Sequence, residues 1–336
     1  MLSVLKNLFF PSPDPRERPA CTPRDKVRPD KKPKSTARPA GISAREIDTA
    51  FYGLILGVQS PIDSTLNTFE KKVLRELDQL LASDISHSSL VPRLPSVIPR
   101  VMGALRDESS SAVDLAAQLG RDAVLVSEVI RLANSPYYRV GKEITSLERA
   151  VFILGQVGVR QLVTNAAFKP LLNLNSGHFT KLSGTILWDQ SEKAAVICDC
   201  LARQEKTDRF NAYLMAIVQN AGFTVALQIL DRNFDGSQAP RSGIFHERLI
   251  SRSRKLSWII AKEWEFGPAV LDALEAQIKD RNMPITGNIL YVADKLSKMS
   301  ILSGRGRFKG DVDQLAERLQ ERLTRPCKDC FEKSSG

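Results

Sequence analysis

The 336-residue chain is long enough for one large domain or two ordinary ones, and 43% of its residues are apolar, which suffices for a substantial core. The net charge of +10 is concentrated at the N-terminus, because residues 1–40 hold ten Lys and Arg residues against four acidic ones. The rest of the chain therefore lacks the clustered basic excess that is typical of nucleic-acid-binding domains. No uninterrupted apolar run reaches the roughly 20 residues of a membrane-spanning helix, and we expect no integral membrane segment.

The five cysteines, at positions 21, 198, 200, 327 and 330, show no spacing typical of a disulfide framework. We predict that they are reduced thiols and that the protein is cytoplasmic. Cys327 and Cys330 have the spacing of half a zinc site or of a redox pair, but no second pair of this kind accompanies them. Ordinary thiols in a C-terminal tail are the favoured interpretation, and an intermolecular zinc site or disulfide is the alternative.

The N-terminal part of the chain falls into two segments. Residues 1–41 form a basic tail, and the eight prolines and nine Lys or Arg residues of 11–40 predict disorder, with at most weak electrostatic contacts to anionic surfaces. Residues 42–90 form a helical extension, in which the apolar periodicity of 69–82 predicts an amphipathic helix. This extension is either a docking element or an enlargement of the core.

Short helices joined by polar turns are predicted from residue 91 onwards. Residues 109–120 have an N-cap candidate at Ser111 and a terminating Gly120, and further helices are predicted over 121–138, 143–155 and 156–168. Two successive helices here could imitate a DNA-binding helix-turn-helix. The second offers only Arg121 and Arg131 as basic residues, which argues against binding to bases and phosphates.

The C-terminal half is organised around the stretch Arg209 to Leu230, which we predict to be a helix that is apolar on all sides and therefore buried. Two adjacent amides, Gln219 and Asn220, lie in its middle and need hydrogen-bond partners. Residues 301–336 are predicted to comprise a basic loop, an amphipathic helix over 311–323 and a flexible C-terminus.

Two motifs resemble a known family. They are Arg131-Leu-Ala-Asn-Ser135 followed by two tyrosines, and Ser146-Leu-Glu-Arg-Ala150. In order and spacing they resemble the HDOD domain of bacterial signalling proteins, and the resemblance covers about 91–300. It implies an all-α fold of two packed helical lobes, of which the C-terminal one is similar to HD-type phosphohydrolases. It also implies a regulatory module without metal chemistry.

The resemblance further implies a degenerate pocket in the HD-like lobe. Gln190, Gln219, Asn220 and Asp294 stand where an HD phosphohydrolase would have its metal ligands. Catalytic metals prefer imidazole and carboxylate ligands, and three of these four side chains are neutral amides. We therefore predict no metal, no cofactor and no catalytic residue. The four side chains form either a hydrogen-bonded polar core or a pocket for a small ligand.

The predicted function is that of a non-catalytic regulatory module in signal transduction. It would act through contacts with other signalling proteins, whose identity the sequence does not name. One alternative is an HD-type metal-dependent phosphohydrolase acting on nucleotides. The other is a nucleic-acid-binding regulator, although the charge distribution makes nucleic acid an unexpected partner.

Overall fold

A computed structural model describes residues 43–94, 123–134, 143–174, 176–279, 283–307 and 312–324, and the single residues 117, 120, 141 and 330. Within these ranges every regular element is a helix, apart from one isolated parallel bridge between Ile62 and Ser242. The predicted all-α class is confirmed. The predicted tail 1–41 lies outside the described residues, and so does the predicted helix 109–120 except for residues 117 and 120.

The helices fall into an N-terminal and a C-terminal series, which we number in chain order. The N-terminal series comprises α1 (Ala44–Ile55), α2 (Thr68–Ala82), a short 3-10 turn (Ile85–His87), α3 (Ala123–Ala133) and α4 (Leu147–Leu172). The C-terminal series comprises α5 (His178–Glu205), α6 (Arg209–Val218), α7 (Ala221–Asn233), α8 (Gly243–Glu263), α9 (Pro268–Lys279), α10 (Ile285–Gly304) and α11 (Val312–Gln320).

Helices α3 and α4 pack against each other in the first lobe. Asn134, in the first family motif, joins the end of α3 to the segment before α4. Its side-chain nitrogen donates to the Ile144 carbonyl at 2.7 Å, and its side-chain oxygen accepts from the Ile144 backbone N–H at 2.8 Å. Gly155 divides α4 with a φ of +67°, a conformation that glycine adopts without steric cost. The predicted boundary near residue 155 therefore corresponds to a kink.

The N-terminal extension belongs to the hydrophobic core. Helices α1 and α2 begin with capping boxes at Ser43 and Asn67, and each presents one apolar face to the interior. Ile47 and Phe51 of α1 are fully buried in the same cluster as the helices of the C-terminal series. The buried Glu70 accepts hydrogen bonds from the backbone and hydroxyl of Ser242, at 2.8 and 2.9 Å. The extension is thus an enlargement of the core.

The apolar stretch that we predicted as one helix is two helices. Helix α6 ends at Val218, and α7 begins at Ala221 after a turn at Gln219 and Asn220. Residues Arg209–Asn233 together are long and apolar enough to cross a membrane, so the expectation that no stretch of this length exists was wrong. However, 89% of the 18-residue apolar window in this stretch is buried inside the fold. The pair α6–α7 is therefore the central element of a protein core.

The cysteines contradict the prediction of reduced thiols at two positions. Cys200 of α5 and Cys330 form a disulfide with a Cα–Cα distance of 5.5 Å, across 130 residues of sequence. A pairing between such distant residues is a tertiary event that no local spacing reveals. Cys198 is a buried free thiol, and burial raises its pKa. Cys327 lies outside the described residues. Disulfides are typical of oxidising compartments, so the cytoplasmic location stays a prediction that cysteine usage does not support.

Candidate functional site

Gln190 connects α5 to α10 at the centre of the C-terminal lobe. Its side chain is fully buried, so its amide groups need partners within the protein. The amide nitrogen donates to Asp294 Oδ1 at 3.2 Å and to the Ser297 hydroxyl at 2.9 Å. Both partners lie on α10, and the amide therefore holds one oxygen of the Asp294 carboxylate against α5.

Asn220 joins this network from the turn between α6 and α7. Its amide nitrogen donates to Gln190 Oε1 at 2.5 Å and to the Ser191 hydroxyl at 3.0 Å. The neighbouring Gln219 behaves differently, because its side-chain nitrogen donates to the Ala216 carbonyl in the last turn of α6 at 3.2 Å. The structure thus brings Gln190, Asn220 and Asp294 into one hydrogen-bonded chain. Gln219 lies at its edge, where it lines a small cavity.

Two lysine ammonium groups occupy the other side of the Asp294 carboxylate. Lys295 Nζ and Lys298 Nζ lie 3.0 and 2.9 Å from Asp294 Oδ2, and both lysines are about 1% exposed. Lys298 also donates to the Tyr52 hydroxyl at 3.2 Å and lies 4.5 Å from the centre of the Tyr52 ring. Asp294 is therefore neutralised by ammonium groups of its own helix.

A second carboxylate, Asp48 of α1, completes the charged cluster. Both of its oxygens lie 2.6 Å from Lys295 Nζ, and one lies 2.9 Å from Lys298 Nζ. Arg254 of α8 approaches the same carboxylate at 3.4 Å. The cluster of Asp48, Arg254, Asp294, Lys295 and Lys298, which we call the charge cluster, links three helices across the core.

The neighbouring opposite charges favour the ionised forms of Asp48, Asp294 and Lys298. Burial alone would raise the pKa of Asp48, but the nearby Lys298, Lys295 and Arg254 outweigh it and hold the pKa well below its ordinary value. The pKa of Asp294 is lowered in the same way, against the effect of burial, by Lys298 and Lys295. Burial would lower the pKa of Lys298, yet Asp294 and Asp48 raise it.

A small cavity and a larger groove adjoin the charge cluster. The cavity, of about 30 Å³, is lined by Gln219, Asn220 and Asp294 together with Tyr52, Phe223, Ile250, Ser253, Arg254, Ser257, Leu274 and Gln277. The groove, of about 600 Å³, runs between α1 and α8 beside Asp48. Ile250, Arg254 and Gln277 line both spaces, so the cavity borders the groove along these residues.

The side chains of this site do not fit a catalytic metal. Gln190 and Asn220 supply neutral amides that are engaged with each other, and Asp294 already faces an amide on one oxygen and two ammonium groups on the other. A divalent cation beside two ammonium groups would meet direct charge repulsion. The described residues contain no cluster of three or more His, Cys, Asp or Glu side chains suited to a metal.

Sequence reasoning did not identify Asp48, Arg254, Lys295 or Lys298. The spacing of Asp294 and Lys298, four residues apart on one helix, could have indicated their ion pair. Asp48 lies 247 and 250 residues from its two lysine partners, and nothing in its local sequence distinguishes it from a surface carboxylate.

Solved structures share this fold at low sequence identity. An HDOD domain protein of unknown function from Geobacter sulfurreducens is 22% identical, with a TM-score of 0.55 over 79% of this chain and 89% of its own. A "putative metal-dependent phosphohydrolase" from Shewanella amazonensis is 20% identical, with a TM-score of 0.56 over 80% of this chain and 97% of its own. A "putative signal transduction protein" from Marinobacter aquaeolei is 17% identical, with a TM-score of 0.51 over 88% of this chain and 68% of its own. At these identities the similarity establishes the fold.

The family follows from the sequence itself. No curated protein matches the chain. Residues 91–279, more than half of the chain, match the HDOD domain. The matched segment contains Gln190, Gln219 and Asn220, while Asp48, Lys295 and Lys298 lie on either side of it. The chain is therefore a member of the HDOD domain family.

Proposed function

We propose that this protein is a non-catalytic regulatory module of signal transduction, which acts through contacts with other signalling proteins. The observation that supports it is the pairing of Asp294 with Lys295 and Lys298 at 3.0 and 2.9 Å. A carboxylate engaged in this way serves as the counterion of two buried cations and has no free oxygen for a metal. The site then contributes to stability and to the positions of α1, α8 and α10.

The residues of the candidate site do not support metal-dependent hydrolysis. Metal-dependent hydrolysis needs a bound cation to generate hydroxide at neutral pH, and an amide cannot replace the general base. The three histidines lie elsewhere: His87 is in a short turn, His178 stacks on Phe234, and His246 bonds to the Pro240 carbonyl at 2.8 Å. The Shewanella structure named for phosphohydrolase activity shares the fold, and its name carries no residue-level evidence for this chain.

Metal content and phosphodiesterase turnover test the proposal directly. The wild-type protein is incubated with Mn²⁺, Fe²⁺ or Zn²⁺, desalted, analysed for metal and assayed with bis-p-nitrophenyl phosphate. We expect substoichiometric metal and no turnover above background. Stoichiometric metal together with phosphate ester hydrolysis would overturn the proposal.

A variant with rebuilt ligands provides the positive control. It combines Gln190→His, Gln219→His and Asn220→Asp with Lys298→Met, which restores imidazoles and a second carboxylate and removes one ammonium group. We expect it to gain metal affinity relative to wild type, because its donor set suits a transition metal. If the variant keeps the helical circular dichroism of wild type and still gains none, these positions do not correspond to a metal site in this chain.

A pull-down experiment tests whether the protein contacts other signalling proteins. A truncation at residue 90 would remove Asp48 and the core residues of α1, so it is unsuitable as a probe of docking. Deletion of residues 1–41 leaves the Ser43 cap in place. Signalling proteins captured from native lysate by both forms would support contact through the folded part. Capture by the full chain alone would assign the contact to the basic tail.

A further inference from the structure

Three cations of the charge cluster meet at one carboxylate of the N-terminal extension. Lys295 and Lys298 of α10 and Arg254 of α8 converge on a single carboxylate, Asp48 of α1, at 2.6, 2.9 and 3.4 Å. Convergence of two ammonium groups and a guanidinium on one pair of oxygens is the arrangement by which proteins bind carboxylates and phosphates. The three cations therefore form an anion site, and the Asp48 carboxylate fills this site as an internal ligand.

The formal charges show what the site would accept without Asp48. Lys295, Lys298 and Arg254 contribute +3 and Asp294 contributes −1, which leaves +2. Asp48 supplies only one negative charge and leaves the cluster at +1. A dianion in its place would make the cluster neutral, and a phosphate monoester carries close to two negative charges at neutral pH. Counted over these five side chains, the charge balance favours a phosphate group over a second carboxylate.

A second observation at the same place also indicates a ligand. Ser253 is 3% exposed, and its hydroxyl has no hydrogen-bond partner among the described residues. It lines the 30 Å³ cavity together with Arg254 and Asp294. A buried hydroxyl without a partner is costly, so an unpaired donor beside a cluster of cations suits an incoming oxyanion. The neighbouring groove of about 600 Å³ offers a route to solvent past Asp48 and Arg254.

We infer that this site binds the phosphate group of a phosphate monoester, which replaces Asp48 as the partner of Lys295, Lys298 and Arg254. The organic part of the ligand lies in the groove between α1 and α8. This inference rests on the proposed function, because the ligand is bound and not hydrolysed. It assigns that function a ligand class and a mechanism of response.

The mechanism of response is a loosening of α1. Asp48 is the charged residue through which α1 pairs with the lysines of α10, beside the contacts that Lys298 makes with Phe51 and Tyr52. A ligand that takes over the lysines removes these ion pairs. Helix α1 then keeps its apolar contacts, the ion pair between Arg45 and Glu247, and the hydrogen bond from Ser183 to the Ile55 carbonyl. The equilibrium then shifts towards a state in which α1 and the chain preceding it are exposed to a partner.

The test compares two single substitutions that change the net charge equally. Asp48→Asn keeps the shape of the internal ligand and removes its charge, whereas Asp78→Asn removes an exposed carboxylate that pairs with Arg252 on α8. Binding of inorganic phosphate and phenyl phosphate is measured by calorimetry at pH 7.5 and constant ionic strength. We expect Asp48→Asn to bind at least about tenfold more tightly than wild type, since no internal anion competes, and Asp78→Asn to match wild type.

Adding Arg254→Gln to Asp48→Asn should abolish the gain in affinity. A measurement on the wild-type protein keeps the inference testable if Asp48→Asn folds poorly. In the wild-type protein, saturating phenyl phosphate should increase hydrogen exchange in Ala44–Ile55 while exchange in α7 stays unchanged. Equal affinities of Asp48→Asn and Asp78→Asn, or unchanged exchange in α1 at saturation, would each overturn the inference.

The results that would refute the anion site differ from those that would refute the proposed function. Release of phenol or phosphate from phenyl phosphate would refute the non-catalytic proposal even if binding follows the expected pattern. Absence of turnover combined with no binding at the charge cluster would refute the anion site and leave the regulatory proposal in place.

Discussion

Lys298 shows at the scale of single residues how a charge is stabilised inside this core. Its ammonium group is buried, which alone would cost several kcal/mol. Two carboxylates within 2.9 Å and the face of the Tyr52 ring at 4.5 Å offset that cost. Removal of one partner lowers the stability of the fold by more than the whole cluster contributes to it, because the remaining charges stay buried without compensation.

Replacement of Lys298 by Met tests this directly. Met fills a similar volume, but Asp294 then keeps one ammonium partner, Lys295, which it shares with Asp48, while Arg254 reaches Asp48 at 3.4 Å. We expect the free energy of unfolding to fall by about 3–5 kcal/mol, as measured by urea denaturation. Lys279→Met is the control, since the Lys279 side chain is 63% exposed in its pair with Glu275 and such surface pairs contribute at most about 1 kcal/mol. Similar losses in both variants would contradict a stabilising role for the buried cluster.

The pH dependence of stability follows from the lowered pKa of Asp48. A carboxyl group whose pKa is lower in the folded state than in the unfolded state stabilises the fold above its unfolded pKa, which is about 3.9 for Asp. That contribution is lost as the pH falls towards the folded pKa. The difference in unfolding free energy between wild type and Asp48→Asn should therefore be constant from about pH 5 to 8 and should shrink below about pH 4. A difference that stays constant down to pH 2.5 would show that the Asp48 charge contributes no stability.

The candidate site illustrates which residues sequence can identify. Buried amides in an apolar stretch must find polar partners, and this rule, together with the family resemblance, selected Gln190, Asn220 and Asp294. Gln219 shares the same local context, yet its side chain donates to the Ala216 carbonyl of the preceding helix turn. Asp48 was not identified, because its role depends on packing between α1 and α10, which no local pattern encodes.

At the scale of elements, the turn between α6 and α7 depends on close packing against α8. A Cβ atom added to Gly222 would lie 2.1 Å from the Ser253 carbonyl oxygen and 2.5 Å from the Ser257 nitrogen. The Ser257 hydroxyl accepts from the Gly222 N–H at 2.9 Å and donates to the Gln219 carbonyl at 2.7 Å. The prediction of one continuous helix failed here, because periodicity detects the apolar face but not the contact with α8 that accompanies the turn.

Gly222→Ala tests the importance of this contact. The added methyl group meets backbone atoms that cannot move away independently, so α7 and α8 must separate. We expect a loss of about 1–3 kcal/mol in unfolding free energy, together with a shift in the amide resonances of Gln219 and Asn220. Gly304→Ala, at the end of α10, is the matched control, because a Cβ there meets no atom within 4 Å. Equal stability of the two variants would show that the approach of α7 to α8 is not tight.

At the scale of the whole molecule, the C-terminal segment is tied back to α5. The Thr324 backbone N–H donates to Glu205 at 2.8 Å, and Cys330 is joined to Cys200. The helical class and most helix positions could be predicted, since amphipathic periodicity is a local property. The return of the C-terminus to α5 and the inclusion of α1 in the core could not, because both depend on contacts between residues more than 100 positions apart.

The disulfide provides the prediction for the whole molecule. A link across 130 residues restricts the unfolded chain, and its removal typically costs about 2–4 kcal/mol. Peptide mapping without reductant should recover the segments around Cys200 and Cys330 as one linked species. Cys330→Ala should be less stable than wild type by that amount, and dithiothreitol should lower the stability of wild type but not of the variant. Cys21→Ala, in the N-terminal tail, should behave as wild type. Recovery of both cysteines as free thiols after non-reducing purification, with no effect of dithiothreitol, would show that the two sulfur atoms are adjacent without being bonded.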